Sequence, residues 1–84
     1  MGIMPIQSEG SEELQRFVDA LFRGRTTVEL LDIALEAEVL DLTVDAREIV
    51  SLLPPGTYER QRLCDQLNSA TAAHGWSALF GTVE

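Results

Sequence analysis

Apolar residues recur at Leu14, Phe17, Val18, Leu21 and Phe22, the i, i+3, i+4, i+7, i+8 spacing of one buried helix face. Arg16, Asp19 and Arg23 take the opposite face. Ser11 suits the cap of this first helix, with Glu12 and Glu13 in a first turn where the helix dipole favours acids. Gly24 stands where a helix ends in a left-handed turn. The chain is therefore expected to double back as an αα-hairpin.

The stretch Thr27–Leu42 carries the strongest pattern and predicts a central helix. Steps of about 100° sort it into three faces. Val28, Leu31, Leu35, Val39 and Leu42 share one arc, and Leu30, Ile33, Ala34, Ala37 and Leu40 share another, roughly opposite. Glu29, Asp32 and Glu36 run between them as an acidic stripe. Thr26 followed by Glu29 reads as a capping box at its start. An ordinary surface helix has one apolar stripe, so this one needs cover on two sides. Either other helices of the domain cover both arcs, or one arc meets a second copy or another protein. On either reading Leu35→Asp is expected to unfold the domain or break an oligomer.

Thr43 caps a predicted third helix, Val44–Leu53, with Ala46, Ile49, Val50 and Leu53 inward. Pro54-Pro55-Gly56 ends it, because proline donates no amide and restricts the residue before it. A fourth helix, Tyr58–His74, follows a Thr57 cap and turns Leu63, Leu67, Ala70 and His74 inward, with Gly75 at its end. Trp76 to Glu84 has the aromatic and β-branched content of a strand-like segment. No internal repeat is legible. The expectation is a mostly all-α chain: a compact four-helix domain over 11–84 with a short extended C-terminal segment, after a flexible lead-in at 1–10.

Charge narrows the partners. Fourteen acidic residues against six basic ones leave −8, and every basic residue is arginine. Residues 1–42 hold nine acids and three arginines, so the acidity is concentrated in the first half. Such a surface repels phosphate backbones and anionic membranes. The single cysteine, Cys64, rules out an internal disulfide and fits a reducing, cytoplasmic setting. Residues 1–13 show neither a basic leader nor an apolar core, so no signal peptide is expected.

Catalytic chemistry finds little support. His74 is the one histidine, and on the predicted helix it stands about 15 Å from Cys64, too far for a dyad. Glu29, Asp32 and Glu36 could offer oxygens to a cation, yet no loop of alternating carboxylates with a turn glycine accompanies them. No phosphate loop or nucleophile elbow is present. An enzyme is not expected, nor a cofactor or metal.

Two functional expectations remain. The first is a small acidic module that binds another protein, as an inhibitor, antitoxin or adaptor, through Glu29, Asp32, Glu36, Trp76, Leu79 and Phe80. Its partner would carry a basic surface, and a homodimer is the other candidate. A special case is mimicry of a phosphate row by Glu29, Asp32, Glu36, Glu38 and Asp41. The second expectation is a helix-turn-helix or winged-helix regulator using helix 58–74 to read DNA with Arg60, Gln61, Arg62 and Asn68.

Overall fold

The computed structural model describes residues 7–84, and side chains from Glu12 onward. Among these residues the chain runs α1 (Gln7–Leu21), β1 (Thr27–Glu29), α2 (Leu30–Val39), α3 (Val44–Ser51), β2 (Thr57–Glu59), α4 (Arg60–Ala73) and α5 (Ser77–Phe80). The expected mostly helical fold is present, with a two-stranded antiparallel sheet added to it. No helix among the described residues is long and apolar enough to cross a membrane.

Helix α1 starts at Gln7, four residues ahead of the expected Ser11 cap, so 7–10 are helical rather than part of a lead-in. Residues 1–6 of that expected lead-in lie outside the described residues. Leu14, Phe17, Val18 and Leu21 are buried, as their spacing requires, and Gly24 adopts a φ of 85° beyond the helix end.

The strands explain where two helix starts were displaced. β1 and β2 pair as Thr27↔Glu59, Val28↔Tyr58 and Glu29↔Thr57, a register locally two-fold about its central pair. Both strands read exposed–buried–exposed, which is the period of two with Val28 and Tyr58 inward. The extended backbone pushes the helix caps to Glu29 and Glu59 instead of Thr26 and Thr57. The Glu29 amide donates to the Asp32 carboxylate at 2.9 Å, so the reciprocal half of a capping box exists three residues later than expected. The order helix–strand–helix therefore occurs twice, α1–β1–α2 and α3–β2–α4, with a positive-φ glycine leading into each Thr-x-Glu strand. Sequence inspection missed this repeat because the two units share few side chains.

Helix α2 stops at Val39, short of the expected Leu42. Asp41 takes a φ of 52°, the Asp41 amide donates to the Glu38 carbonyl and the Leu42 amide to the Ala37 carbonyl. This is a Schellman closure with aspartate in the left-handed position. Buried Leu42 and Ala37 supply its apolar contact. Thr43 caps α3 as expected, accepting the Ala46 amide at 3.3 Å. Its own amide and hydroxyl both donate to the Glu13 carboxylate, tying α3 to α1. Leu63, Cys64, Leu67 and Thr71 form the buried face of α4. His74 is not on that face. It closes α4 at the surface, stacked on Trp76 with ring centroids 4.7 Å apart.

After Gly75 the chain makes one helical turn, Ser77–Phe80, where a strand-like start was expected. Residues 81–84 then run alongside α4 and α1 without joining a sheet. Two side-chain amides take the place of a neighbouring strand. Asn68 accepts the Val83 amide at 2.8 Å and donates to the Val83 carbonyl at 3.1 Å. Gln15 does the same for Glu84, at 3.0 and 2.8 Å.

Candidate interaction surface

Helix α2 is apolar on two sides, where an ordinary surface helix has one apolar stripe. Ile33 and Ala37 are buried against the core, with Leu30 partly so. The opposite arc faces solvent, with Leu31 69%, Leu35 56% and Val39 74% exposed. Each of these side chains would contribute about 1.5–3 kcal/mol if fully buried, and most of that is unrealised here. The domain thus covers the Ile33–Ala37 arc, apart from Ala34 and Leu40, and leaves the other one uncovered between its buried ends, Val28 and Leu42. Leu35, expected in the core, stands at the middle of the uncovered one.

Acids border the ridge. Asp32 lies 3.5 Å from Arg25, and Glu38 and Asp41 share Arg47 at 3.6 and 3.1 Å. These pairs are largely exposed and worth about 0–1 kcal/mol each. Glu36, Val39 and Leu40 line a mixed trough of about 650 Å³ toward α1, together with Arg16, Asp19, Arg23 and Asp41. On the other flank a groove of about 310 Å³ opens between α2 and α3. Its lining is Leu30, Ala34, Ala37, Val50, Ser51 and Leu53, with Glu38 and Arg47 at its edge.

The expected partner-binding residues divide. Glu29 is exposed at the strand–helix junction, and Asp32 and Glu36 flank the α2 ridge. Phe80 is 2% exposed and belongs to the core, so it is not a contact surface. Trp76 is half-buried between His74 and Phe80, and Leu79 alone of the three stays substantially exposed. Sequence reasoning allowed that one apolar arc meets a partner but did not place Leu31, Leu35 and Val39 among the contact residues. Their signal was present in the two-arc pattern, but periodicity cannot say which arc the domain covers.

The residues expected to read DNA are spoken for within the fold to different degrees. Arg60 pairs with Asp19 and donates to the Glu84 carbonyl at 2.7 Å. Asn68 is engaged on both sides by Val83. Gln61 donates to Asp65 at 3.0 Å, and Arg62 lies over the Tyr58 ring at 5.6 Å from its centre. Hydrogen bonding to Arg60, aided by Gln15, holds the Asp19 carboxyl below its usual range.

The thiol of Cys64 is buried on the inner face of α4, and desolvation pushes its pKa up, away from the thiolate that nucleophilic chemistry needs. His74 Nε2 stands 3.9 Å from Glu48 Oε2, at the surface. Among the described residues no group of three His, Cys, Asp or Glu side chains converges. The loops that enter β1 and β2 hold Arg23-Gly24-Arg25 and Pro54-Pro55-Gly56, residues that supply no carboxylate to a cation. No known protein family, curated protein or solved structure matches this chain.

Proposed function

We propose that this chain is a non-enzymatic protein–protein interaction module, and that the outward face of α2 is its contact surface. The observation that carries this reading is the Leu31–Leu35–Val39 ridge, solvent-exposed on a helix that packs into the core through Ile33 and Ala37 on its other face. Apolar ridges rimmed by polar groups are a common form of protein docking site. A role as inhibitor, antitoxin or adaptor is consistent with such a surface, and a reducing cytoplasmic setting suits the free Cys64.

Two competing readings lose support. Arg25 and Arg47 partly neutralise Asp32, Glu38 and Asp41, which weakens these carboxylates as a phosphate-like row. Arg60 and Asn68 already hold the segment 83–84, so using them on DNA bases would release that segment.

The test compares proteins recovered from host extract by tagged wild type, Leu35→Asp and Arg62→Ala, after nuclease treatment. A specific partner retained by wild type and Arg62→Ala but lost from Leu35→Asp is the expected result. A partner retained by folded Leu35→Asp would refute the α2 surface. Recovery that depends on nucleic acid and on Arg62 would favour the DNA-reading alternative instead.

A further inference from the structure

Resting on that interaction reading, we infer that the partner presents an amphipathic helix with an arginine- or lysine-rich flank. It lies along the α2 ridge and seats one large apolar side chain in the α2–α3 groove. Leu31, Leu35 and Val39 follow i, i+4, i+8 and form a straight ridge about 12 Å long, the length of two helical turns. A second helix packs on such a ridge with apolar residues at matching spacing. Beside the ridge, Ala34 is small enough to leave a doorway into the groove over Ala37, Val50 and Leu53. Ridge and groove together offer a helix both a track and a socket.

Charge selects the partner. Helix α2 contains Asp32, Glu36 and Glu38 and no basic residue, and Asp41 follows at its end. A second copy would be the simplest occupant of a self-complementary ridge. In an antiparallel pairing centred on Leu35, Leu31 would indeed meet the other copy's Val39. The same symmetry keeps each flank on its own side, so Asp32 of one copy faces the flank of the other that carries Glu36, and each Glu38 lies on the flank of its own counterpart; carboxylates face carboxylates. Each copy also carries −8 overall. Arg25 and Arg47 already serve acids within their own chain. Glu36 has no arginine partner among the described residues and Glu38 and Asp41 share one, so a basic flank on a different protein meets the residual negative charge that a second copy would oppose.

The experiment selects binders to the purified domain from a displayed library of helical peptides. Apolar residues are fixed at i, i+4 and i+7, and the flanking positions are randomised. The expected winners carry Arg or Lys flanks, bind more weakly as salt rises, and lose at least about tenfold in affinity to Leu35→Asp and to the groove-filling Ala34→Trp. Both variants must keep the wild-type unfolding transition, and Ala34→Leu serves where Ala34→Trp does not. Winners with neutral or acidic flanks, winners indifferent to both variants, or no winners at all would overturn the basic-helix inference. A wild-type dimer in sedimentation that Leu35→Asp dissolves would assign the ridge to a second copy, ending this inference while sparing α2 as a contact surface. The extract comparison with Leu35→Asp judges that surface separately.

Discussion

Val28 stands directly opposite Tyr58 at the centre of the β1–β2 ladder, and both side chains are buried. This pair joins the two helix–strand–helix units across the middle of the domain, and the Tyr58 hydroxyl donates to the Pro54 carbonyl. Tyr58→Phe removes only that hydrogen bond and should cost about 0.5–1.5 kcal/mol. Val28→Ala leaves a cavity and should cost about 2 kcal/mol. In urea titrations the double variant should depart from additivity by about 0.5 kcal/mol or more, because the residues touch across the ladder.

Leu35 and Ile33 are two residues apart and should respond oppositely to the same substitution. Leu35→Asp places a charge in water and should leave stability within about 0.5 kcal/mol of wild type. Ile33→Asp buries a carboxylate without a partner and should abolish cooperative folding. Circular dichroism melts distinguish the two, and an unfolded Leu35→Asp would contradict the exposed ridge.

Asp41 occupies left-handed backbone that glycine adopts without strain. Its ion pair with Arg47 is highly exposed and contributes little. Asp41→Gly should therefore be neutral or stabilising by up to about 1 kcal/mol, whereas Asp41→Val should destabilise by about 1–2 kcal/mol. Chemical denaturation of the two variants measures the sign directly.

Asn68→Ala deletes both hydrogen bonds to the Val83 backbone and should cost about 1–3 kcal/mol. Gln61→Ala, on the exposed side of the same helix, should cost no more than about 0.5 kcal/mol. Amide exchange at Val83 should accelerate in Asn68→Ala while exchange within α2 stays protected. Unchanged protection at Val83 would mean that the clamp contributes nothing.

The Asp19–Arg60 pair gives the domain an acid sensitivity of known sign. Folding lowers the Asp19 pKa, so its contribution is complete above the ordinary carboxylate pKa of about 3.9 and disappears as pH falls through the lowered value. Wild type should exceed Asp19→Asn in stability at pH 7, and the gap should narrow below about pH 4. A gap that widens in acid would reverse the assignment. The pair is about half exposed, so high salt should also shrink it.

Much of the helical framework could be read from spacing and caps. The stripe Leu14-Phe17-Val18-Leu21 and the Thr43 cap needed only local rules, and Gly75 ends α4 with a φ of 73° as a terminal glycine should. The strands could not be read, because three residues hold too little alternation to rival a helix that runs straight on from them. Val28 fits the helical arc of Leu31 and Leu35 as well as it fits an inward strand position. The choice is made by Tyr58, thirty positions away, through a pairing that no window along the chain contains. Arg60 and Asn68 misled for a related reason. Their capacity to read bases is equally a capacity to hold a backbone, and the fold brings residues 83–84 within reach.

The clamp on residues 83–84 and the packing of α5 against α1 also set the order in which the domain can be completed. A ribosome delivers Phe17 long before Phe80 and Val83, yet all three share one core. The nascent chain must therefore carry α1 without its α5 cover until the closing turn has emerged. Throughout that interval the ridge on α2 is a second sticky surface on the same unfinished molecule. Crowded synthesis should make this domain a client of whatever shields nascent apolar helices, and a partner helix that arrives early could serve as that shield.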